Sequence, residues 1–259
     1  MAPPVVLTIA GFDPSSGAGV TADVKTAAAH GCYALACITA LTVQSTLGVR
    51  QVEPVSGQTI SDTLAELAAD TGFQAVHIGM LGSAEAASRV AEFLESYRPP
   101  NVVLDPIVKA SSGTPLLNPE GLEILRTRLL PLADVVTPNL DEAAALTGMD
   151  VRDLDGMRAA AEALAAIGAR AVVVTGGHLE VPVDLLWYAG LEREYPAARI
   201  DSRSTHGTGC AFAMALACRM ALGSTLTEAV AQAKKYVADA IRSAPGIGRG
   251  VGPLNHFPK

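Results

Sequence analysis

AVHIGMLGSAEAASRVAEFLESYRPPNVVL, residues 75–104, is the stretch that decides the fold. Residues 75–78 form a short apolar run that reads as a buried strand. Ser83 is a suitable N-cap for a helix over residues 83–97. Residues 101–104 then return to an apolar strand. Strand, helix and strand in succession predict a parallel sheet covered by helices on both faces.

The same alternation extends outward from this unit. Upstream, residues 5–10 read as a strand, 20–30 as a helix stopped by Gly31, and 34–43 as a strand. Residues 49–55 read as another strand, with Pro54 favouring a sheet edge, and 58–71 as an amphipathic helix. Downstream, helices are predicted over 119–129, 140–147 and 153–167, and strands over 134–137 and 171–175. Residues 183–188 and 192–195 read as a hairpin-like pair, followed by Ala-rich helices over 208–222 and 226–243. No linker or repeat interrupts the pattern, so residues 1–259 are expected to form one α/β domain.

Composition agrees. The chain is 49% hydrophobic and 17% charged, which excludes intrinsic disorder. Its 45 alanines and 4% aromatic content imply a core of small aliphatic side chains with closely packed helices. A net charge of −7 and a pI near 5.2 argue against a nucleic-acid or anionic-membrane partner. Any phosphate must then be held by backbone N–H groups, helix ends, a metal or single cations. No apolar run is long enough to span a membrane, and Met1-Ala2-Pro3-Pro4 has no targeting pattern, so a cytoplasmic location is expected. Cys32, Cys37, Cys210 and Cys218 lack zinc-ligand spacing; the first two and Cys218 read as reduced, buried thiols.

Chemistry is expected in loops at the C-terminal ends of the strands. GFDPSSGAG, residues 11–19, offers flexible backbone beside a helix N-terminus, suited to an anion or serving only as a tight turn. It has neither the P-loop lysine nor the dinucleotide fingerprint. Asp23 follows in the next helix, either as a dipole-friendly surface carboxylate or as the acceptor of a substrate hydroxyl. Gln44 closes the apolar ALTVQ run; its amide has the donor and acceptor needed to read an aminopyrimidine edge, or to satisfy a loop. Asp105 after VVL, with Asn139 and Glu142 after DVVTP, can hold Mg²⁺ through water, or cap a helix.

STHGTGCAF, residues 204–212, is the most informative loop. Gly207, Thr208 and Gly209 set bare N–H groups at the start of a long helix, a cradle for phosphate and for the charge of phosphoryl transfer. Cys210 falls in the helix's first turn, where a lowered thiol pKa would make it a base or reactive group. Thr175, Gly176 and Gly177 form another close-approach loop, and residues 246–253 a third glycine cluster, read as a nucleotide-facing wall or a flexible tail.

Together TIAGFDPSSGAGVTADVKT, ITALTVQSTLGV, HIGMLGS, VVLDPIV, SSGTPLL, VTPNLDEAAAL, GGH and THGTGCAFAMALA resemble the hydroxymethylpyrimidine/phosphomethylpyrimidine kinases of thiamine biosynthesis. The resemblance runs over essentially the whole chain. It implies a ribokinase-like three-layer α/β/α fold with a mostly parallel sheet, and ATP with Mg²⁺ as cofactors. The implied activity is phosphorylation of 4-amino-5-hydroxymethyl-2-methylpyrimidine, then of its monophosphate. It further implies that Gln44, Gly11, Asp23, Met80 and Ile107 line the substrate pocket and that Asp105, Asn139 and Glu142 serve the metal and phosphates. Gly207, Thr208, Gly209 and Cys210 would be catalytic, and a homodimer is implied, with the edge-like strand 49–55 a suitable pairing surface.

The chain departs from the family pattern in places. Its flap reads IVKASSGT, with Lys109 two positions before the family's lysine and Ser111 in that lysine's place. TGGH, with Thr175, stands for the usual KGGH. Thr175, Gly177 and Lys109 are nonetheless the expected nucleotide contacts. The alternatives are a pyridoxal kinase of the same subgroup and a weakly catalytic pyrimidine-binding regulator. The aminopyrimidine is preferred over pyridoxal because Gln44 matches an edge that carries an amine.

Overall fold

The computed structural model describes residues 2–110 and 113–258. Ser111 of the flap lies outside the described residues. Among the described residues nine strands join one sheet: β1 Val5–Phe12, β2 Tyr33–Ser45, β3 Gly48–Pro54, β4 Ala75–Ile78, β5 Val102–Leu104, β6 Val135–Val136, β7 Ala171–Gly176, β8 Val183–Tyr188 and β9 Leu191–Pro196. Their order is β3-β2-β1-β4-β5-β6-β7-β8-β9. The six from β2 to β7 run parallel, while β3 at one edge and β8 and β9 at the other are antiparallel.

Helices cover both faces, as the alternating pattern predicts. Leu7, Ile9, Val76, Ile78, Leu104, Val136 and Val174 point to one face. There they pack against α2 Gly57–Asp70, α3 Ala84–Tyr97, α5 Leu140–Thr147 and α6 Leu154–Ile167. Their neighbours Val6, Ala75, Val103, Val135 and Val173 point to the other, against α1 Gly19–Ala29, α7 Thr208–Ala221 and α8 Leu226–Arg242. α7 touches the sheet, α1 and α8, and is buried from Cys210 to Cys218. A helix enclosed on all sides needs small side chains wherever a neighbour approaches closely, which explains its alanines.

Local signals set most of the ends. Ser56, Ser83, Asn118 and Asp153 each accept a backbone N–H in the first turn of α2, α3, α4 (Pro119–Ile124) and α6, worth about 1 kcal/mol apiece. The helix expected over 119–129 is shorter than predicted. α4 spans Pro119–Ile124, then widens into a π-type turn over Leu125–Leu129 and a 3₁₀ turn over Leu130–Leu132. Widening brings Leu125 and Leu130 onto the same buried face, and Pro131, lacking an N–H, ends the helix. β2 runs longer than its apolar run suggests because β3 pairs with its far end, placing Gln44 inside the strand.

No helix among the described residues is long and apolar enough to cross a membrane. The four cysteines are unbridged and buried.

Candidate active site

The strand ends and two helix N-termini converge on one side of the sheet. Asp13 organises the first loop: its carboxylate accepts the N–H groups of Ser15, Gly17 and Ala18 at 2.8, 3.2 and 2.9 Å. His206, from the 204–212 loop, places Nε2 2.8 Å from Asp13 Oδ2. Burial would raise the Asp13 pKa, but the bonds from His206 and Ser15 outweigh it and hold the carboxylate below its ordinary range. The loops before α1 and α7 are thereby joined. At Gly207 φ is +81°, and a β-carbon there would strike the Gly17 carbonyl oxygen.

α7 begins at Thr208 with no side chain capping it. The Thr208 N–H turns back to the Thr205 carbonyl at 3.4 Å, and the N–H groups that follow form the open, positively polarised helix end that an anion needs. A β-carbon on Gly209 would have one neighbour within 4 Å, Asp105 Oδ2 at 3.7 Å. Gly207, Thr208, Gly209 and Asp105 are thus brought together, as expected.

Asp105 sits just past β5, 4% exposed, and its Oδ2 has no hydrogen-bond partner among the described residues. Burial pushes its pKa up to about 7, with His77 pulling down, Asp23 pushing up and the Cys210 thiol, a weak donor, pulling down. Glu142, on α5, lies within reach of the Asp105 charge. Burial first, then the Asp105 charge, raises the Glu142 pKa well above its ordinary value. Glu142 also completes a capping box with Asn139: Asn139 Oδ1 accepts the Glu142 N–H and Glu142 Oε2 accepts the Asn139 N–H, each at 2.9 Å. The capping reading of this stretch is therefore observed, and only Glu142 Oε1 and the Asn139 amide nitrogen lie outside the box. Among the described residues no three His, Cys, Asp or Glu side chains form a metal cage. Two nearby carboxylates, one with an orphaned oxygen, fit a divalent cation that keeps most of its water.

Two expectations are corrected. Asp23 is 0% exposed; its Oδ2 takes the Thr8 hydroxyl at 2.6 Å and lies 3.2 Å from His77 Nδ1. It is sealed between α1 and the sheet, so it is not open to a substrate hydroxyl in this structure. Cys210 does not have a lowered pKa. Burial, then the charges of Asp105 and Asp23, raises it well above the ordinary thiol value, although the Gly19 N–H pulls the other way. The helix end favours a thiolate, but desolvation and carboxylates win. Cys210 is a thiol at neutral pH.

Gly11, Met80 and Ile107 come together. A β-carbon on Gly11 would lie 2.9 Å from Met80 Sδ. Met80 clusters with Ala40 and Leu116, and Ile107 packs against them. Gln44 lies beside this cluster on β2, half-buried. One amide atom is 3.1 Å from His206 Nε2 and the other 3.2 Å from Thr42 Oγ1. Thr175 neighbours Asn139 by an isolated bridge, and Gly177 faces open space at the same rim. Lys109 is exposed on a small flap closed by the Leu116-to-Val108 and Ala110-to-Thr114 backbone bonds. The 246–253 segment is held rather than loose: Val251 N–H donates to Thr46 and His206 N–H to Gly252.

Sequence reasoning missed His77, Asp13 and His206. A lone ionisable residue inside the apolar AVHI strand was the available cue for His77. Asp13, one residue before Pro14 in a Ser- and Gly-rich turn, carries the signature of a carboxylate that bonds its own loop.

The profile of the family described as phosphomethylpyrimidine kinase matches residues 13–255. A hydroxymethylpyrimidine/phosphomethylpyrimidine kinase of Streptomyces coelicolor is 44% identical over 255 residues, 98% of this chain and 94% of that protein. A thiamine biosynthesis bifunctional protein of Geobacter sulfurreducens is 44% identical over 254 residues; these are 97% of this chain and 52% of that protein, so the chain spans about half its length. Among solved structures, a Bacillus subtilis pyridoxal kinase in an ADP complex superposes with a TM-score of 0.91 at 34% identity, covering 99% of this chain and 98% of that one. Phosphomethylpyrimidine kinase from Clostridium difficile 630 does so with a TM-score of 0.83 at 37% identity, covering 92% and 99%.

Proposed function

The chain belongs to the phosphomethylpyrimidine kinase family and is a kinase of ribokinase-like fold, and on that premise we propose its substrates and the roles of its residues. It phosphorylates the hydroxymethyl oxygen of 4-amino-5-hydroxymethyl-2-methylpyrimidine from ATP, then phosphorylates the monophosphate to the pyrophosphate. The observation that carries this reading is the uncapped N-terminus of α7 beside the orphaned Asp105 oxygen. An anion cradle and a cation site adjoin there, as transfer of an anionic phosphoryl group requires.

In the first step the alcohol oxygen bonds to the γ-phosphorus as the bond to the β,γ-bridging oxygen breaks. The N–H groups of Gly209 and Cys210 face the equatorial oxygens. Because this transition state is loose, the alcohol proton leaves late, to an oxygen of the transferred phosphoryl group or to solvent water, and no strong base is needed. Cys210 acts as a thiol that donates toward Asp105 and keeps that carboxylate in place. Asp105 and Glu142 would hold Mg²⁺ through water, and the ion would supply charge neutralisation for the phosphates. Met80, Ile107 and Gly11 supply the apolar wall for the pyrimidine ring, and Gln44 reads its edge. Asn139, Thr175, Gly177 and Lys109 border the nucleotide.

Residues 1–259 act as one kinase domain. Four unbridged cysteines suit a reducing compartment, in line with a cytoplasmic enzyme. Two copies pair through the β2–β3 edge, where Leu41, Val43 and Leu47 are exposed. Sedimentation analysis tests this; a monomer at micromolar concentration would contradict it.

Product analysis with MgATP tests the activity. Monophosphate followed by pyrophosphate is expected from the aminopyrimidine. A higher kcat/KM for pyridoxal would instead assign the chain to the other vitamin.

A further inference from the structure

We infer that His206, locked by Asp13, sets the direction of the Gln44 amide and so determines which way round an aminopyrimidine docks. The inference rests on the proposal that Gln44 reads the pyrimidine. It concerns a positioning residue that does not itself contact the reacting atoms.

Asp13 is held as a carboxylate by the Ser15, Gly17 and Ala18 N–H groups, so it can only accept. His206 Nε2, 2.8 Å away, must therefore carry the proton. The Gln44 amide atom 3.1 Å from that same nitrogen then cannot be a donor and must be the oxygen. Amide oxygen and nitrogen have the same shape, and only such a network distinguishes them. The other amide atom, 3.2 Å from Thr42 Oγ1, is the nitrogen and donates to it. The Thr42 hydroxyl in turn donates to the Phe12 carbonyl at 3.0 Å, which completes the chain without conflict.

The one hydrogen on His206 Nε2 is committed to Asp13, so Gln44 is left with one free N–H on the Thr42 side and a free carbonyl oxygen on the His206 side. A ligand must then offer an acceptor toward Thr42 and a donor toward His206. In the aminopyrimidine these are the ring nitrogen and the adjacent exocyclic amine. The hydroxymethyl group is the amine's other neighbour on the ring. This orientation therefore carries the reacting oxygen toward Gly207, the residue after His206, and the start of α7. A reversed amide would either face amine with amine or, if the ring turned over to restore the pairing, point the hydroxymethyl group away from the cradle.

The test is steady-state kinetics with both substrates varied. His206→Ala should raise KM for the aminopyrimidine by about tenfold with KM for ATP within about twofold, and His206→Gln, which restores a donor at the Nε2 position, should recover most of it. The double variant with Gln44→Ala should add little to Gln44→Ala alone, since both act on one contact. Equal rises in both KM values with no rescue, or additive effects in the cycle, would overturn the role of His206. An unchanged aminopyrimidine KM in Gln44→Ala would instead remove the underlying assignment of Gln44. If His206→Ala folds poorly, the His206→Gln and Gln44→Ala comparison still decides: a tenfold rise in KM for His206→Gln, in a folded protein, overturns the inference.

Discussion

His77 Nδ1 lies 3.2 Å from Asp23 Oδ2, and both side chains are wholly sealed from solvent. Burial disfavours the charged imidazole, but the Asp23 carboxylate, with Asp105 beyond it, more than offsets this and raises the His77 pKa. The pair therefore compensates a carboxylate that would otherwise stand alone beneath the site. His77→Ala should cost about 3–5 kcal/mol, read as a lower urea midpoint. Asp23→Asn should leave KM for the aminopyrimidine within about twofold. A large KM rise without loss of stability would return Asp23 to the substrate.

Cys210 should behave as an unreactive thiol. At pH 8 iodoacetamide should label it far more slowly than a free cysteine, because the raised pKa leaves little thiolate. Cys210→Ser retains a donor toward Asp105 and should keep most of the turnover, whereas Cys210→Ala should lose more. Rapid labelling coupled to inactivation would restore the thiolate as a base.

Gly207 is constrained by both conformation and space. Gly207→Ala meets a φ of +81° and the Gly17 carbonyl, so the loop must shift and carry the first N–H groups of α7 with it. Turnover should fall by about 10²–10³, the usual effect of misplacing charge-stabilising donors. Isothermal titration should still detect ATP, since other parts of the rim remain.

His256 gives stability an acid limit. Its Nδ1 is 3.2 Å from Thr26 Oγ1 and its Nε2 is buried without a partner. Burial, with the Lys25 charge adding, lowers its pKa to about 4. The folded state thus favours the neutral ring. The associated stability is fully present above pH 6.5 and is lost as pH falls toward and through about 4. The loss should reach ~2 kcal/mol by pH 4.5 in urea titrations. His256→Asn, which keeps an acceptor for Thr26, should flatten that slope.

Much of the architecture was readable without coordinates because it depends on local patterns. Short apolar runs between capped, periodic helices gave the strand order its raw material, and the GTG stretch announced an open helix end. The proximity of Gly209 to Asp105 was foreseeable only in outline, since strand ends on one side of a parallel sheet must gather there. The length of β2 was not foreseeable. Its far end is held by pairing with β3, a non-local term that periodicity does not contain.

The amino-acid sequence by itself determined the layered fold, the uncapped start of α7 and the residues available for chemistry. Tertiary structure alone decided their electrostatic state. Cys210 occupies the helix position that lowers a thiol's pKa, yet burial beside Asp105 and Asp23 reverses the sign. Asp23 occupies a helix turn that looks open, yet α1 presses it onto Thr8 and His77. Likewise, His206 acquires its role only because folding brings it to Asp13 and Gln44 from opposite ends of the chain. Helix and strand propensities act over a few residues, whereas desolvation and charge act through space, between groups that only the folded chain makes neighbours.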